Sequence, residues 1–212
     1  MKIALIGATG RVGARLLAEA LARGHEVTAI SRHPEKLTPQ ARLSAVAGDV
    51  FDTEALAELL RGRDAVIHAY APPRDIDRTA AQIRATQSII AAMKRAGVRR
   101  ILAVGGAGTL ESAPGVRVMD TPELPREWIG GATSTAQVKY LLEKEKELDW
   151  TSLSPSLWLE AGERTGKFRL GTDQILRDKD GRSHISFEDY AVALIDELEQ
   201  PRHGGRRFTV GY

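Results

Sequence analysis

Short apolar runs alternate with amphipathic stretches along most of the chain. The runs Lys2–Ile6, Glu26–Ser31 and Leu43–Ala47 have the length and content of buried strands. The stretches between them place apolar residues at helical spacing and are bounded by capping residues or glycines. The same pattern predicts strands at 65–71, Arg100–Val104 and 150–154, and helices at 11–23, 52–61, 77–96 and 133–148.

This alternation is typical of an α/β fold with a Rossmann-like, doubly wound parallel sheet and helices on both faces. After Pro155 the pattern changes to shorter elements. We therefore predict a single domain over residues 1–212, in which 155–212 form a small C-terminal elaboration on the substrate side. That elaboration has predicted strands at 166–171, 174–177 and 207–210, and a predicted helix at Phe187–Glu199.

One stretch between the fifth strand and the next helix has no periodicity. Residues 109–132 contain Pro114, Pro122 and Pro125 and no run of strand or helix length. An irregular stretch this long inside a compact domain is commonly a functional loop. We expect it to act as a lid on the substrate side of the sheet.

The composition narrows the classes of protein to which the chain can belong. The 212 residues carry 30 basic and 28 acidic side chains, and the net charge of +2 offers no electrostatic footprint for nucleic acid. The absence of cysteine excludes disulfides and thiolate chemistry, and the five histidines lack metal-ligand spacing. The apolar runs are too short to span a membrane. We expect a cytoplasmic protein that acts on a small molecule, without a metal, a membrane or nucleic acid.

A glycine-rich turn connects the first predicted strand to the first predicted helix. Residues 7–13 read G-A-T-G-R-V-G, a spacing with which such a turn holds the pyrophosphate of a dinucleotide. Gly7 would make the tight turn, Gly10 would let the backbone approach the phosphates, and Gly13 would let the helix pack on the strand. The N–H groups of the helix N-terminus would complete this cradle. We predict cofactor contacts from Gly7, Thr9, Gly10, Arg11, Val12 and Gly13.

The end of the second strand bears on which dinucleotide binds. An enzyme that selects NAD commonly places Asp or Glu there, on the 2′-hydroxyl of the ribose. This chain has Ser31 and Arg32 instead, and a guanidinium meets a phosphate with two parallel hydrogen bonds. Arg11 could reach the same phosphate from the cradle; the alternative is two solvated surface arginines. The pattern favours NADP(H) as the cofactor and leaves NAD(H) open.

Further cofactor contacts follow from the topology, because ligands of such sheets lie at the carboxyl ends of the strands. Asp49 follows the third strand and would either bind adenine or cap the next turn. Other residues at strand ends are predicted to line the same site: Val50, Ala69, Tyr70, Ala71, Gly105, Gly106, Ser154 and Pro155.

These motifs, together with three later ones, resemble the atypical short-chain dehydrogenase/reductase superfamily over essentially the whole chain. The later motifs are V-G-G-A-G at 104–108, D-W-T at 149–151 with S-P at 154–155, and I-S-F-E-D-Y-A at 185–191. They are most similar to the NAD(P)H-binding branch described as NADH-flavin reductase-like, which is related to biliverdin reductase B and to NmrA-type regulators. The resemblance implies a Rossmann domain that binds NAD(P)H and acts as a reductase or as a sensor.

The wider superfamily uses a Tyr-x-x-x-Lys pair on the helix after the fifth strand, where the tyrosine donates a proton. Tyr140 and Lys144 match that spacing. In our alignment to the superfamily, however, the two positions fall on Ala132 and Ala136, and Tyr140 would lie about 10 Å below the site edge. Tyr140 and Lys144 are then explained as an i,i+4 pair on the helix surface. Thr109 is the hydroxyl nearest to the usual serine position, and these three residues are the catalytic candidates.

Hydride transfer to an electron-poor ring is the chemistry that needs no aligned proton donor, because a flavin or quinone can take its proton from solvent. We predict an NADPH-dependent reductase of flavin- or quinone-like acceptors, with flavin as a substrate and not as a tightly bound cofactor. The alternatives are a non-catalytic NADP(H) sensor of the NmrA type and, ranked last, a sugar-nucleotide epimerase or dehydratase. Monomer and homodimer are both open.

The acceptor would bind between the 109–132 loop and the residues that follow Pro155. Arg74 would contact an anionic acceptor, or is a solvated arginine. Apolar and aromatic side chains are available for the walls of this pocket: Met119, Trp128, Leu157, Trp158 and Phe168.

Overall fold

The computed structural model describes residues 1–212, which form twelve strands and five α-helices. The strands are β1 (Lys2–Ile6), β2 (Glu26–Ser31), β3 (Leu43–Ala47), β4 (Ala65–His68), β5 (Arg100–Val104), β6 (Glu111–Ala113), β7 (Val116–Arg117), β8 (Asp149–Pro155), β9 (Trp158–Glu160), β10 (Arg169–Gly171), β11 (His184–Ser186) and β12 (Arg206–Gly211). The helices are α1 (Arg11–Ala22), α2 (Thr53–Leu60), α3 (Arg78–Ala96), α4 (Ile129–Leu142) and α5 (Phe187–Glu199).

Eight of the strands form one sheet in the order β10-β12-β8-β5-β4-β1-β2-β3. Every neighbouring pair is parallel except β10 with β12, which is antiparallel. The chain builds outwards from β1 to β3 and then returns to add β4 on the other side of β1. The strand order therefore reverses beside β1, as in a Rossmann-like doubly wound sheet. This confirms the fold class predicted from the alternation of strands and helices.

The sheet carries an apolar core on each face. Successive side chains of a strand point to opposite faces, so β1 supplies Ile3 and Leu5 to one core and Ala4 and Ile6 to the other. Helices α1 and α5 pack together over the first core, while α2, α3 and α4 cover the second. No helix of the protein combines the length and the apolar content that crossing a membrane requires.

The start of α4 differs from the prediction of a helix at 133–148. A 3-10 turn at Arg126–Trp128 runs directly into α4 with Trp128 in the right-handed helical conformation, so the helix begins at Ile129 without a side-chain cap. Ser134, beside the predicted start at residue 133, donates its hydroxyl to the carbonyl oxygen of Arg78, at 2.9 Å. A contact with α3 has replaced the expected cap.

The end of α4 also lies earlier than predicted, at Leu142. The Glu145 carboxylate accepts hydrogen bonds from the N–H groups of Lys146 and Glu147, at 2.9 Å each, and pairs with Lys94 of α3. These bonds turn the chain out of the helix and into β8.

Two predicted strands are shortened or missing in the C-terminal part. The stretch 166–171 forms a strand only over its last three residues, because Asp189 accepts hydrogen bonds from the Thr165 hydroxyl and the Gly166 N–H. The stretch 174–177 forms no strand, and only Gln174 makes a bridge to Glu111. In the N-terminal part, the predicted strand 65–71 ends at His68.

The stretch 109–132 is a small packed unit and not an irregular lid. It contains the β6–β7 hairpin and several 3-10 turns. A separate apolar cluster lies beneath it and joins it to the C-terminal elaboration: Leu110, Val118, Leu124 and Ile175.

Candidate cofactor and acceptor site

An open cleft of about 230 Å³ lies at the carboxyl ends of β1, β2, β3 and β4. The structure brings ten of the predicted cofactor residues together there: Gly7, Thr9, Gly10, Ser31, Arg32, Asp49, Val50, Ala69, Tyr70 and Ala71. The prediction missed five further lining residues: Ile6, Ile30, His33, Gly48 and Phe51.

The glycines of the cradle have the three different roles that the motif implies. Gly7 has φ +92°, and a β-carbon there would lie 2.5 Å from the carbonyl oxygen of Ala69. A β-carbon on Gly13 would overlap the Gly7 carbonyl group. A β-carbon on Gly10 would meet only the Gly7 oxygen, at 3.3 Å, so the space in front of Gly10 is open. The backbone at this turn is therefore accessible to a pyrophosphate group.

The N-terminus of α1 faces this turn. Its N-cap residue is Gly10, no side chain caps it, and its first turn contains no acidic residue. Arg11, Val12 and Gly13 do not line the cleft, so their contribution would come from their backbone N–H groups. The Arg11 guanidinium lies 5.7 Å from the ring centre of Phe187 in α5. In this structure the Arg11 guanidinium lies towards Phe187, and its contact with a 2′-phosphate stays a prediction.

The end of β2 forms the side of the cleft where the 2′ substituent of a bound dinucleotide would lie. The Ser31 hydroxyl accepts a hydrogen bond from the His33 N–H at 3.1 Å. Glu35 is the nearest acid along the chain, and His33 Nδ1 lies 3.2 Å from its Oε1. No carboxylate lines this side, whereas Arg32 does.

The opposite wall is aromatic. Tyr70 and Phe51 meet edge to face with ring centres 6.2 Å apart, and the Arg84 guanidinium lies 4.5 Å from the Phe51 ring centre. Burial raises the pKa of the Tyr70 hydroxyl above its ordinary value. Asp49 accepts a hydrogen bond from the Phe51 N–H at 2.9 Å, so it caps the turn and also lines the cleft. Phe51 lies four residues after the third strand, next to the predicted Val50, and that position could have identified it.

The turn after β5 is pressed against β8. The Leu153 carbonyl oxygen accepts hydrogen bonds from the Gly105 N–H at 2.8 Å and from the Tyr190 hydroxyl at 2.7 Å. A β-carbon on Gly105 would lie 3.0 to 3.1 Å from the hydroxyl oxygens of Ser152 and Ser154. This turn therefore has little room for a side chain. Four of the predicted cofactor residues lie outside the cleft at this end of the sheet: Gly105, Gly106, Ser154 and Pro155.

The positions that the superfamily alignment assigns to the tyrosine and the lysine are filled by methyl groups. Ala136 is buried. A β-carbon on Gly108 would lie only 2.8 Å from that of Ala132, so the turn after β5 packs directly on α4. Neither position offers a proton donor.

Tyr140 and Lys144 lie elsewhere. Tyr140 is about 16 Å along α4 from its first residue, and its hydroxyl accepts a hydrogen bond from Arg117 at 3.0 Å. Lys144 is exposed and lies beyond the end of the helix. The predicted i,i+4 pair of these residues does not form; Lys139 and Glu143 form one instead, at 2.5 Å.

Thr109 is an anchor and not a candidate catalyst in this structure. It is buried, and its carbonyl and hydroxyl oxygens accept hydrogen bonds from Arg207 at 2.6 and 3.3 Å. Arg207 also donates to the Asp173 carboxylate, at 3.1 Å from Nε. The three residues join the 109–132 unit to β12 and to the loop after β10. This burial and pairing argue against the predicted catalytic role of Thr109.

The predicted acceptor wall is assembled only in part. Trp128 and Trp158 meet edge to face with ring centres 4.9 Å apart. Met119 and Leu157 pack on the small cluster under the 109–132 unit. Phe168 instead packs against the core beneath α1 and α5, so it does not belong to this wall.

A buried polar group that the sequence did not single out lies at the end of β4. His68 Nε2 is 3.2 Å from the Thr86 hydroxyl of α3, and its Nδ1 has no hydrogen-bond partner. Burial lowers the pKa of His68 to about 4, so the ring is neutral at pH 7.

The chain is similar to known proteins over its whole length. The profile of a family described as NAD(P)H-binding matches residues 7–201. YwnB of Bacillus subtilis, an uncharacterised protein, is 40% identical over 213 residues, which are 99% of this chain and 98% of YwnB.

Two crystal structures have the same fold at substantial identity. A proposed epimerase from Bacteroides thetaiotaomicron is 48% identical with a TM-score of 0.92, over 100% of this chain and 96% of the other. A proposed NADH-flavin reductase from Streptococcus pneumoniae is 33% identical with a TM-score of 0.88, over 100% and 99%. These matches, together with the cradle and the cleft, make the chain a member of the NAD(P)H-binding family with a Rossmann-like fold.

Proposed function

We propose that the protein is an NADPH-dependent reductase that transfers hydride to a flavin- or quinone-like acceptor. The observation that carries this proposal is the absence of a proton donor at the usual positions. Gly105 and Gly106 follow β5, Ala132 packs on that turn from α4, and the aligned lysine position is the buried Ala136. Reduction of a carbonyl needs a proton at the oxygen, whereas a reduced flavin or quinone can be protonated by water.

The cleft suits NADPH in its shape and charge. The open backbone at Gly10 and the uncapped start of α1 would hold the pyrophosphate. Arg32 and the Ser31 hydroxyl would hold a 2′-phosphate, which is the basis for proposing NADP(H) over NAD(H). Phe51 and Tyr70 would flank the adenine ring.

The residues of this chain would contribute binding and orientation. When bound, NADPH supplies a hydride, and the acceptor takes that hydride together with one proton from water. The Gly105–Gly106 backbone would keep the reacting end of the cofactor close to β8, and the Trp128–Trp158 pair would exclude water from the acceptor side.

A second candidate is a non-catalytic NADP(H) sensor of the NmrA type. The absence of a proton donor at Ala132 and Ala136 supports it equally. A nucleotide-sugar epimerase ranks lower, although one similar structure is described as a proposed epimerase, because that chemistry uses the tyrosine as a base.

Absorbance at 340 nm tests the reductase proposal directly. Purified protein with NADPH should oxidise it when FMN, riboflavin or menadione is added, with a higher kcat/KM than with NADH. Absence of turnover with all three acceptors, with equal calorimetric affinity for NADP⁺ and NADPH, would support the sensor instead. The cytoplasmic location, the small-molecule partner and the monomer or homodimer state stay predictions.

A further inference from the structure

Two of the tryptophans, Trp128 and Trp158, are partly exposed and contact each other at the surface. The chain has three tryptophans, of which Trp150 is buried in the core beneath α3 and α4. Trp128 and Trp158 are 37% and 40% exposed, and they come from chain segments on either side of β8. Large aromatic side chains that meet at the surface are typical of a binding site for a planar ring.

An unpaired arginine, Arg78 at the start of α3, lies against Gly131 of α4, three residues after Trp128. The Arg78 guanidinium makes no ion pair or hydrogen bond, and its Nε is buried without a partner. Asp77, the nearest carboxylate in sequence, already accepts hydrogen bonds from the N–H groups of Thr79 and Ala80 at 3.0 Å each. A partly buried guanidinium is normally paired with an acid, because its desolvation otherwise has no compensation. The Arg78 guanidinium is therefore available to an anion from outside the chain.

The Arg78 guanidinium packs against a glycine of α4. A β-carbon on Gly131 would lie 3.0 Å from Arg78 Nη1, whereas one on the neighbouring Gly130 would meet nothing within 4 Å. Glycine costs up to about 1 kcal/mol in a helix interior compared with alanine. Of these two helical glycines, only Gly131 leaves space that the Arg78 guanidinium occupies.

We propose that Arg78, seated on Gly131 beside the Trp128–Trp158 pair, binds an acidic substituent of a planar aromatic acceptor. The substituent is a phosphate or a carboxylate, with which a guanidinium forms charge-assisted hydrogen bonds. This inference rests on the proposed reductase function and adds the charge of the substrate to it. It also replaces Arg74 by Arg78 as the residue for an anionic acceptor.

FMN and riboflavin separate the charge from the ring, because they share the isoalloxazine ring and differ by one phosphate. The KM of the wild type for FMN should be about tenfold below that for riboflavin. Arg78→Gln should raise the KM for FMN to the riboflavin value while leaving kcat and the KM for NADPH unchanged. Equal KM values in the wild type would overturn the proposal. So would an Arg78→Gln variant that weakens only NADPH, since the anion would then be the cofactor's pyrophosphate.

The glycine pair supplies a matched control that keeps the charge. Gly131→Ala should displace the guanidinium and raise the KM for FMN but not for riboflavin, whereas Gly130→Ala should change neither. Both variants should melt at or above the wild-type temperature, because alanine favours the helix. Identical FMN kinetics in the two variants would contradict the inference that Gly131 positions the Arg78 guanidinium.

Equilibrium binding distinguishes failure of this inference from failure of the proposed function. Trp150→Phe leaves Trp128 and Trp158 as the only tryptophans, and their fluorescence should be quenched by FMN at concentrations about tenfold lower than by riboflavin, without NADPH. Quenching with that preference but without NADPH oxidation would support the Arg78 subsite and contradict the reductase function. Turnover without that preference would support the reductase function and contradict the Arg78 subsite.

Discussion

The cofactor cleft and the acceptor wall are built in different ways, although they lie along one edge of the same sheet. The cleft consists of short turns that directly follow β1, β2, β3 and β4, and its shape depends on backbone conformation at glycines such as Gly7. The acceptor side depends on pairs that are distant in sequence, of which Arg207 and Thr109, 98 residues apart, are the plainest. The cleft is therefore a local property of the chain, and the acceptor wall is a property of the whole fold.

The largest effect should come from Gly13→Ala in the cradle. The added methyl group would overlap the Gly7 carbonyl, so α1 would have to move away from β1. We expect a loss of about 3 kcal/mol in the free energy of unfolding, measured in urea, and loss of calorimetric NADPH binding. Gly130→Ala, which meets no neighbour, is the control. Normal NADPH affinity in Gly13→Ala would show that the cradle is less local than we infer.

The pH dependence of stability tests whether His68, at the end of β4, is buried away from solvent. Its folded pKa of about 4 lies below the unfolded value near 6.5, so the unfolded chain takes up a proton first as the pH falls. This residue should contribute about 3 kcal/mol at pH 7 that is lost progressively between about pH 6.5 and pH 4. His68→Asn should flatten that part of the stability curve, measured by urea unfolding at several pH values. A slope in His68→Asn equal to that of the wild type would mean that His68 is solvated.

Arg207→Met should affect the acceptor side alone. It removes the donors to Thr109 and Asp173 and leaves a buried carbonyl oxygen without a partner. We expect a loss of about 2 kcal/mol in stability and a higher KM for the acceptor, with the Kd for NADPH unchanged. Arg206→Met, at the exposed neighbouring position, is the matched variant. A parallel loss of NADPH affinity in Arg207→Met would break the distinction between the two regions.

Arg32→Ala should change the choice of cofactor. We expect the affinity for NADPH to fall by about tenfold and that for NADH to stay constant, because only NADPH carries the 2′-phosphate. Arg11→Ala should have the smaller effect, since that guanidinium lies over Phe187. Isothermal calorimetry with both cofactors decides this, and equal weakening of the two by Arg32→Ala would assign Arg32 a general electrostatic role.

The smallest effect is expected at the motif that looks most catalytic. Tyr140→Phe and Lys144→Ala should leave kcat within about twofold of the wild type, as for ordinary surface substitutions. Tyr140 is bonded to Arg117, and Lys144 lies outside the helix. Steady-state kinetics with FMN measures this, and a large fall in kcat for Tyr140→Phe would reinstate the tyrosine as a proton donor.

Most elements of the sheet and the cleft could be predicted because their signals are local. The strands β1, β2, β3 and β5 and the helix α5 have the predicted bounds, since an apolar run or a helical period ends at a glycine, a cap or a turn in each case. Of the ten cleft residues, the glycine motif predicts three, the end of the second strand two, and the rule about the carboxyl ends of parallel strands the other five.

The bounds of α4 could not be predicted, because distant contacts decide them. Ser134 looks like a helix start, but its hydroxyl bonds to Arg78 of α3, and Glu145 ends the helix with help from Lys94. Thr109 has the residue type of a catalyst, and only the position of β12 shows that its hydroxyl is occupied. The chemistry of Phe168 predicts a place in the acceptor wall, whereas its packing under α1 and α5 depends on the course of the whole C-terminal part.

The sequence by itself determined that this protein has a doubly wound sheet and a dinucleotide cradle, because backbone freedom at glycine and side-chain periodicity are properties of a few consecutive residues. The tertiary structure decided what the acceptor side contains. The Trp128–Trp158 pair, the anchored Thr109 and the unpaired Arg78 depend on which segments meet above β8. Packing between segments that are far apart in the chain determines these contacts. The local pattern of residues therefore does not predict them.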